Sequence, residues 1–243
     1  MTRTTKRLLG VAAASFVFFL VLNIPAQVIL SFLDGTPAKM NGLSGTLWQG
    51  AAKSFAVDQL QFGQARWRWK PGGLLAGRVE FDFEAGDSEP RLSGRLGLSA
   101  SGKILVRNAT LDLFLNQLGV MPFGTKAKVF IAIESLSMAG EWPEHATGTI
   151  HLIDTSMDIP ETLELGDFEG QFKIENGGDL QADFYDLEGA LEINGTLSLD
   201  ARGNYQGNLY IKPRGRLSRR LQNILSYMPS ENGVYQQPFS GSL

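Results

Sequence analysis

The sequence predicts a mainly β protein: one apolar N-terminal helix, then an antiparallel body folded as a curved sheet or sandwich, with a short helix near the C-terminus. Three observations predict it. Residues 8–33 carry no charge, which is a membrane-helix signature. Beyond them the apolar period becomes two, the period of half-buried strands. Residues 216–228 return to a helical period, with Leu217, Leu221, Ile224, Leu225 and Met228 on one face.

The N-terminal run is richest over residues 8–22, LLGVAAASFVFFLVL, where ten residues are Leu, Val or Phe. At the usual transfer values they favour insertion by about 3 to 6 kcal/mol. Asn23, Pro25 and Gln27 weaken the run without charging it, so a span of residues 8 to about 27 is expected to cross the ~30 Å hydrocarbon layer. Arg3, Lys6 and Arg7 precede it, which keeps the N-terminus in the cytoplasm and exports the rest. A cleaved signal peptide is the competing reading. Its cleavage site needs small residues at −3 and −1, and Ile24 before Ala26 is large, while Thr36 and Ala38 lie far past the apolar core. The expected organisation is therefore a cytoplasmic N-terminus (1–7), a transmembrane anchor with its outer flank (8–33) and an exported β-rich domain (34–243).

In the exported part, Val79, Phe81 and Phe83 alternate with Arg78, Glu80, Asp82 and Glu84. Trp67 and Trp69 alternate with Arg66, Arg68 and Lys70 just before. Paired as a hairpin, these runs set a basic polar face against an acidic one, at roughly 0.2 to 1 kcal/mol per opposite-charge pair. Further strands are expected at 43–50, 91–99, 103–107, 126–135 and 146–153, and alternation resumes from Phe168 to Ile174 before the turn signal Asn176-Gly177. Leu180 to Phe184, Leu191 to Leu199 and Tyr205 to Ile211 close the series, and residues 111–118 are expected to hold a turn or two of helix. The 28 glycines fit many turns.

Catalytic chemistry finds no foothold. There is no cysteine, so disulfides and thiolate metal sites are excluded. His145 and His151 lie six apart with no helical ligand spacing, so no metal site is expected. Gly97 to Ile104 nearly matches a phosphate-binding loop, but Ile104 stands where Mg²⁺ needs Ser or Thr, and a strand follows instead of a helix. No catalytic residue and no cofactor are expected. The net charge is −3; without Arg3, Lys6 and Arg7 the remaining 19 cations face 25 acids, a net of −6, which gives no footprint for nucleic acid. No small-molecule substrate is expected either.

Two constellations suit interaction. Trp48, Trp67 and Trp69 sit near the start of the exported body. Their place on apolar strand faces reads as core; the alternative is an interfacial or partner-facing aromatic patch. Lys212, Arg214, Arg216, Arg219 and Arg220 form a basic cluster at a helix start, where cations oppose the helix dipole. A solvated face is one reading, and contact with lipid head groups or an acidic partner is the other.

Residues 42–50, GLSGTLWQG, and the stretch Trp67-Arg68-Trp69-Lys70-Pro71 with Leu74-Leu75 and Gly77-Arg78 resemble the type II secretion system protein N family. In that family a Gly-x-Ser-Gly-Thr-x-Trp-x-Gly stretch and a Trp-x-Pro…Leu-Leu-x-Gly-Arg stretch follow one transmembrane helix. The resemblance extends in layout over the whole chain and is specific over residues 42–78. It implies an accessory, single-pass component of the bacterial inner membrane with a periplasmic domain. That component would assist assembly or stability of a protein-secretion machine by contacts with other machine proteins and membrane lipid, without catalysis. It also implies distant kinship with AsmA-like envelope proteins, hence the alternative that an apolar groove binds lipid. The interaction candidates carried forward are Trp48, Trp67, Trp69, Pro71, Arg78, Arg216, Arg219 and Arg220.

Overall fold

A computed structural model of the chain describes residues 3–118, 124–159, 161–188, 191–215, 217 and 219–242. Among these, α1 (Arg3–Leu22) and α2 (Val28–Leu33) precede the strands. Fifteen strands follow: β1 (Ala38–Asn41), β2 (Ser44–Gly45), β3 (Gln49–Val57), β4 (Leu60–Lys70), β5 (Arg78–Ala85), β6 (Arg91–Ser99), β7 (Ile104–Phe114), β8 (Lys126–Met138), β9 (Pro143–Ile159), β10 (Glu161–Ile174), β11 (Leu180–Asp186), β12 (Leu191–Leu199), β13 (Asn204–Pro213), β14 (Ser230–Glu231) and β15 (Val234–Ser242). A short helix, α3 (Arg219–Leu225), lies between β13 and β14.

The strands form one antiparallel sheet rather than a sandwich. Nearly every strand pairs with its neighbours in sequence, in the order β1-β3-β4 through β13-β15-β14, with β2 paired to β3 off the main path. At about 4.8 Å per spacing the sheet is some 60 Å along its stacking direction. With no second layer to cover it, the molecule exposes 15586 Å², against about 10,700 Å² for a compact monomer of its mass.

The register sorts most side chains by face. One cross-strand row reads Ala52, Ala65, Ala85, Leu92, Leu111, Ile131, Ile150, Gly170, Phe184, Gly195 and Leu209, with no polar side chain from β3 to β13. The row beside it reads Arg66, Glu84, Ser93, Thr110, Ala132, Thr149, Gln171, Asp183, Thr196 and Asn208. The sheet thus has one apolar and one polar face. The apolar face is closed at its two ends. Ala26 and Ile29 pack with Phe55, Phe62, Trp67 and Phe83 at one end. Leu221 and Leu225 of α3 pack on Leu191, Ile193 and Ile211 at the other.

The expected hairpin forms with the expected faces: Trp67 faces Phe83, Trp69 faces Phe81, and Arg66, Arg68 and Lys70 face Glu84, Asp82 and Glu80. Four expectations need correction. The N-terminal helix stops at Leu22 rather than near Gln27, because Asn23 takes its last bonds and Pro25 enters an extended segment bridged to Thr46. Residues 8–22 alone are about 22 Å long at helical rise; among the described residues, no helix is long and apolar enough to cross a membrane. Residues 43–50 are not one strand but two, turned at Thr46 to Trp48. Leu111 to Phe114 extend β7, leaving only a 3-10 turn at Leu115–Leu118. The C-terminal helix starts at Arg219, not 216.

Candidate functional site

The three tryptophans come together where α1 meets the sheet. After Leu22 the chain runs extended through Ile24 to Ala26, antiparallel to the β2–β3 turn. Leu47 N–H donates to Ile24 O at 2.8 Å and Ala26 N–H to Gly45 O at 3.2 Å. Trp48 Nε1–H donates to Val21 O at 2.7 Å, a carbonyl in the last turn of α1 that also accepts from Ile24 N–H at 3.3 Å. Trp67 Nε1–H is shared between Thr46 O at 3.2 Å and Leu47 O at 3.1 Å, which pins the turn from beneath. Trp69 N–H donates to Trp48 O at 2.6 Å, and the two indoles pack with ring centroids 5.0 Å apart. Ala26 is fully buried in this cluster. The GLSGTLWQG stretch is therefore a joint that fixes the first helix to the sheet. Gly50 is needed in it, because a Cβ there would stand 2.4 Å from Trp67 Cζ2. Trp67 is core, as its strand face predicts, whereas Trp48 and Trp69 remain half-buried.

Pro71 opens a 3-10 turn, Pro71–Ala76, which ends on Gly77 in the left-handed region (φ 67°). Leu74 and Leu75 of this turn are 54% and 96% exposed. Gly73 backs onto Glu80, which is 6% exposed and is flanked by Arg78 at 2.5 Å and Arg107 at 3.8 Å. Arg78 thus serves an ion pair on the polar face rather than an open surface. Beside it Asp82 is held below the usual carboxylate range, first by the Lys70 hydrogen bond and then by Arg95.

The basic cluster divides. Lys212 pairs with Glu192 at 3.8 Å and Arg214 with buried Asp186 at 2.5 Å, while Asp186 also accepts from Ile193 N–H at 2.6 Å. Arg216 lies outside the described residues, and Arg219 and Arg220 are described only as backbone of α3.

The alternative of an apolar groove named no lining residues. Between its closed ends the apolar face forms a cavity of about 390 Å³, lined by Leu152, Thr155, Phe168, Phe172, Phe184, Ile193 and Leu197 among others. Thr155 is 4% exposed and its Oγ1 has no hydrogen-bond partner. A bulge aims it inward: Asp154 takes φ 53°, and the register of β9 and β10 slips between Glu164 and Phe168. The only signal for this in the sequence is a broken alternation after Ile153.

The histidines lie on the polar side. His145 Nε2 is 3.1 Å from Ser135 Oγ, and His151 Nδ1 is 3.8 Å from Glu169. Among the described residues no three metal-ligating side chains converge. Gly102 occupies a plain turn between β6 and β7.

The model of the type II secretion system protein N family matches residues 37–237. The chain belongs to that family. A type II secretion system protein N of Vibrio cholerae serotype O1 is 26% identical over 231 residues, covering 90% of each chain. The Aeromonas hydrophila protein of the same name is 22% identical over 92% of each chain. That of Klebsiella pneumoniae is 24% identical over 91% of this chain and 87% of its own. No solved structure matches the chain. The matched region begins one residue before β1 and contains the whole of the turn that grips α1.

Proposed function

We propose that this protein N family member is an accessory component of the type II secretion machine, held in the bacterial inner membrane by α1 with its sheet in the periplasm. It acts by contacts with other machine proteins in assembly or stabilisation and performs no catalysis. Family membership over residues 37–237 carries this reading. The surface of α1 supports the membrane part: every residue from Val11 to Leu22 is exposed, the large apolar ones at 41–64%, as expected of a helix whose neighbour is lipid. Its apolar length falls about 8 Å short of an average hydrocarbon layer, a mismatch that bilayers absorb by local thinning. The test is a gene deletion in the source bacterium with export of secreted enzymes as readout. Loss of export, restored by the intact chain, is expected; undiminished export refutes the reading.

The cavity favours a second activity on the same fold. An apolar hollow with one unpartnered hydroxyl suits the acyl chain of a lipid whose polar end reaches Thr155. Native mass spectrometry of detergent-extracted protein is expected to find bound lipid, less of it in a Thr155→Val variant; a lipid-free spectrum counts against the idea.

A further inference from the structure

We propose that the base of the sheet is a membrane foot: the exposed apolar sides of α2 and of the 3-10 turn after β4 enter the outer head-group layer beside α1, with the lipid surface as their partner. The proposal rests on reading α1 as a membrane helix and adds to it a second contact with the bilayer.

The first argument is length. Residues 8–22 supply about 22 Å of apolar helix against a hydrocarbon layer of ~30 Å. With the basic N-terminal residues at the inner head groups, the outer end of α1 is drawn to or below the outer hydrocarbon boundary, and whatever is fixed to that end follows it.

The second argument is rigidity. No linker lets the sheet stand away from α1. Val21, Ile24 and Ala26 are bonded directly to Trp48, Leu47 and Gly45. The half-buried indoles of Trp48 and Trp69 lie at this junction and stiffen it.

The third argument is what surrounds the junction. α2 begins six residues after Leu22 and packs half-buried Ile29 against the core, leaving Phe32 71%, Leu30 40% and Val28 36% exposed. The turn carrying Leu74 and Leu75 begins two residues after Trp69. By strand and 3-10 rise, Leu75 lies within about 15 Å of Trp69. The ~8 Å shortfall of α1 plus a head-group layer of about 5–8 Å spans that distance. Leu75, almost wholly exposed, has no packing role in the fold.

The chain has no cysteine, so single probes can be placed cleanly. The full-length protein carrying Leu75→Cys or Phe32→Cys is labelled with an environment-sensitive fluorophore. It is then reconstituted into phosphatidylethanolamine–phosphatidylglycerol vesicles containing lipids spin-labelled near the head group or deep in the chain. Phe16→Cys in α1 and Tyr227→Cys, 89% exposed at the far end of the sheet, are the references. Expected are blue-shifted emission and shallow-label quenching at 75 and 32 severalfold above that at 227, with deep-label quenching at 16. Deep quenching at 16 with 75 and 32 resembling 227 overturns the foot and leaves the anchor standing. No quenching at 16 overturns both. Shielding from water at 75 and 32 without lipid quenching marks a contact between copies and also overturns the foot.

Discussion

Thr155 offers the sharpest test of the inner face. Its hydroxyl is buried without a partner, inside a cavity lined almost wholly by apolar side chains. Leaving such a group unsatisfied costs about 1–3 kcal/mol. Valine has the same branched shape and strand preference, so Thr155→Val removes the penalty without opening space. The ligand-free protein is expected to gain about 1 kcal/mol, which for a chain of this size raises Tm by about 2–4 °C. Thr155→Ser keeps the hydroxyl and loses a methyl, so it is expected to cost about 1 kcal/mol. Thermal unfolding of delipidated, detergent-solubilised full-length protein, followed by far-ultraviolet circular dichroism, measures both. A Val variant that melts several degrees lower refutes the reasoning, because the hydroxyl then has a partner that stabilises the fold. The same variant in lipid-loaded protein reads the groove: if a lipid polar group satisfies Oγ1, the gain shrinks or reverses.

Gly50→Ala drives a methyl into the Trp67 ring and to 2.5 Å from Ser44 O, and overpacking of this kind costs about 1–3 kcal/mol; faster protease cleavage in residues 42–50 checks it. Asp186→Asn weakens the charge-assisted hydrogen bonds that the buried carboxylate accepts from Arg214 and from Ile193 N–H, with an expected loss of about 1.5–3 kcal/mol; urea unfolding measures it. Asp82 has a folded pKa below its ordinary 3.8, so its contribution is present above that pH and is lost as pH falls through the folded value. Asp82→Asn is therefore expected to flatten the acid side of the stability profile below about pH 4, by an amount that shrinks with added salt because the side chain is 39% exposed.

What the sequence revealed followed uninterrupted alternation. The β4–β5 hairpin was legible down to which side chains share a face, since unbroken period two sets the basic residues of one strand opposite the acids of the other; the residue pairs themselves came from the structure. β9 and β10 were legible only in part. Asp154 and Gly166, both at positive φ, reset the period, so residues 154–167 look irregular in sequence although they continue two strands. Those same bulges made Thr155 invisible as a site residue. β3 was hidden similarly by slips between Ala52 and Ala56. Glycine hid a second feature. Several glycines inside the expected strands lie beneath aromatic rings: Gly195 faces Phe184, whose ring stands where a Cβ would be, 2.0 Å away. A one-residue reading cannot see a ring supplied by the neighbouring strand.

The joint bears on whether the N-terminal helix is an anchor or a removable leader. A leader must be dispensable to the domain it exports, and its cleavage site must be an extended, accessible segment. Here the segment after α1 is already part of the fold. Ala26 is fully buried, Ile24 O accepts from Leu47 N–H, and Ile29 packs against the Trp67 cluster. Cutting after Ala26 would divide the segment that closes this end of the apolar face, and cutting after Ala38 would remove it and shorten β1. Either cut would expose Phe55, Phe62 and Phe83, at about 25 cal/mol for each Å² of apolar surface uncovered. Trp48 would also lose the Val21 carbonyl that its indole N–H engages. A sheet with no second layer depends on such end closures, because its middle strands are covered on neither face by another sheet. The residues that would make residues 1–26 a leader are thus the residues the sheet uses to end itself, and this favours a helix that stays attached.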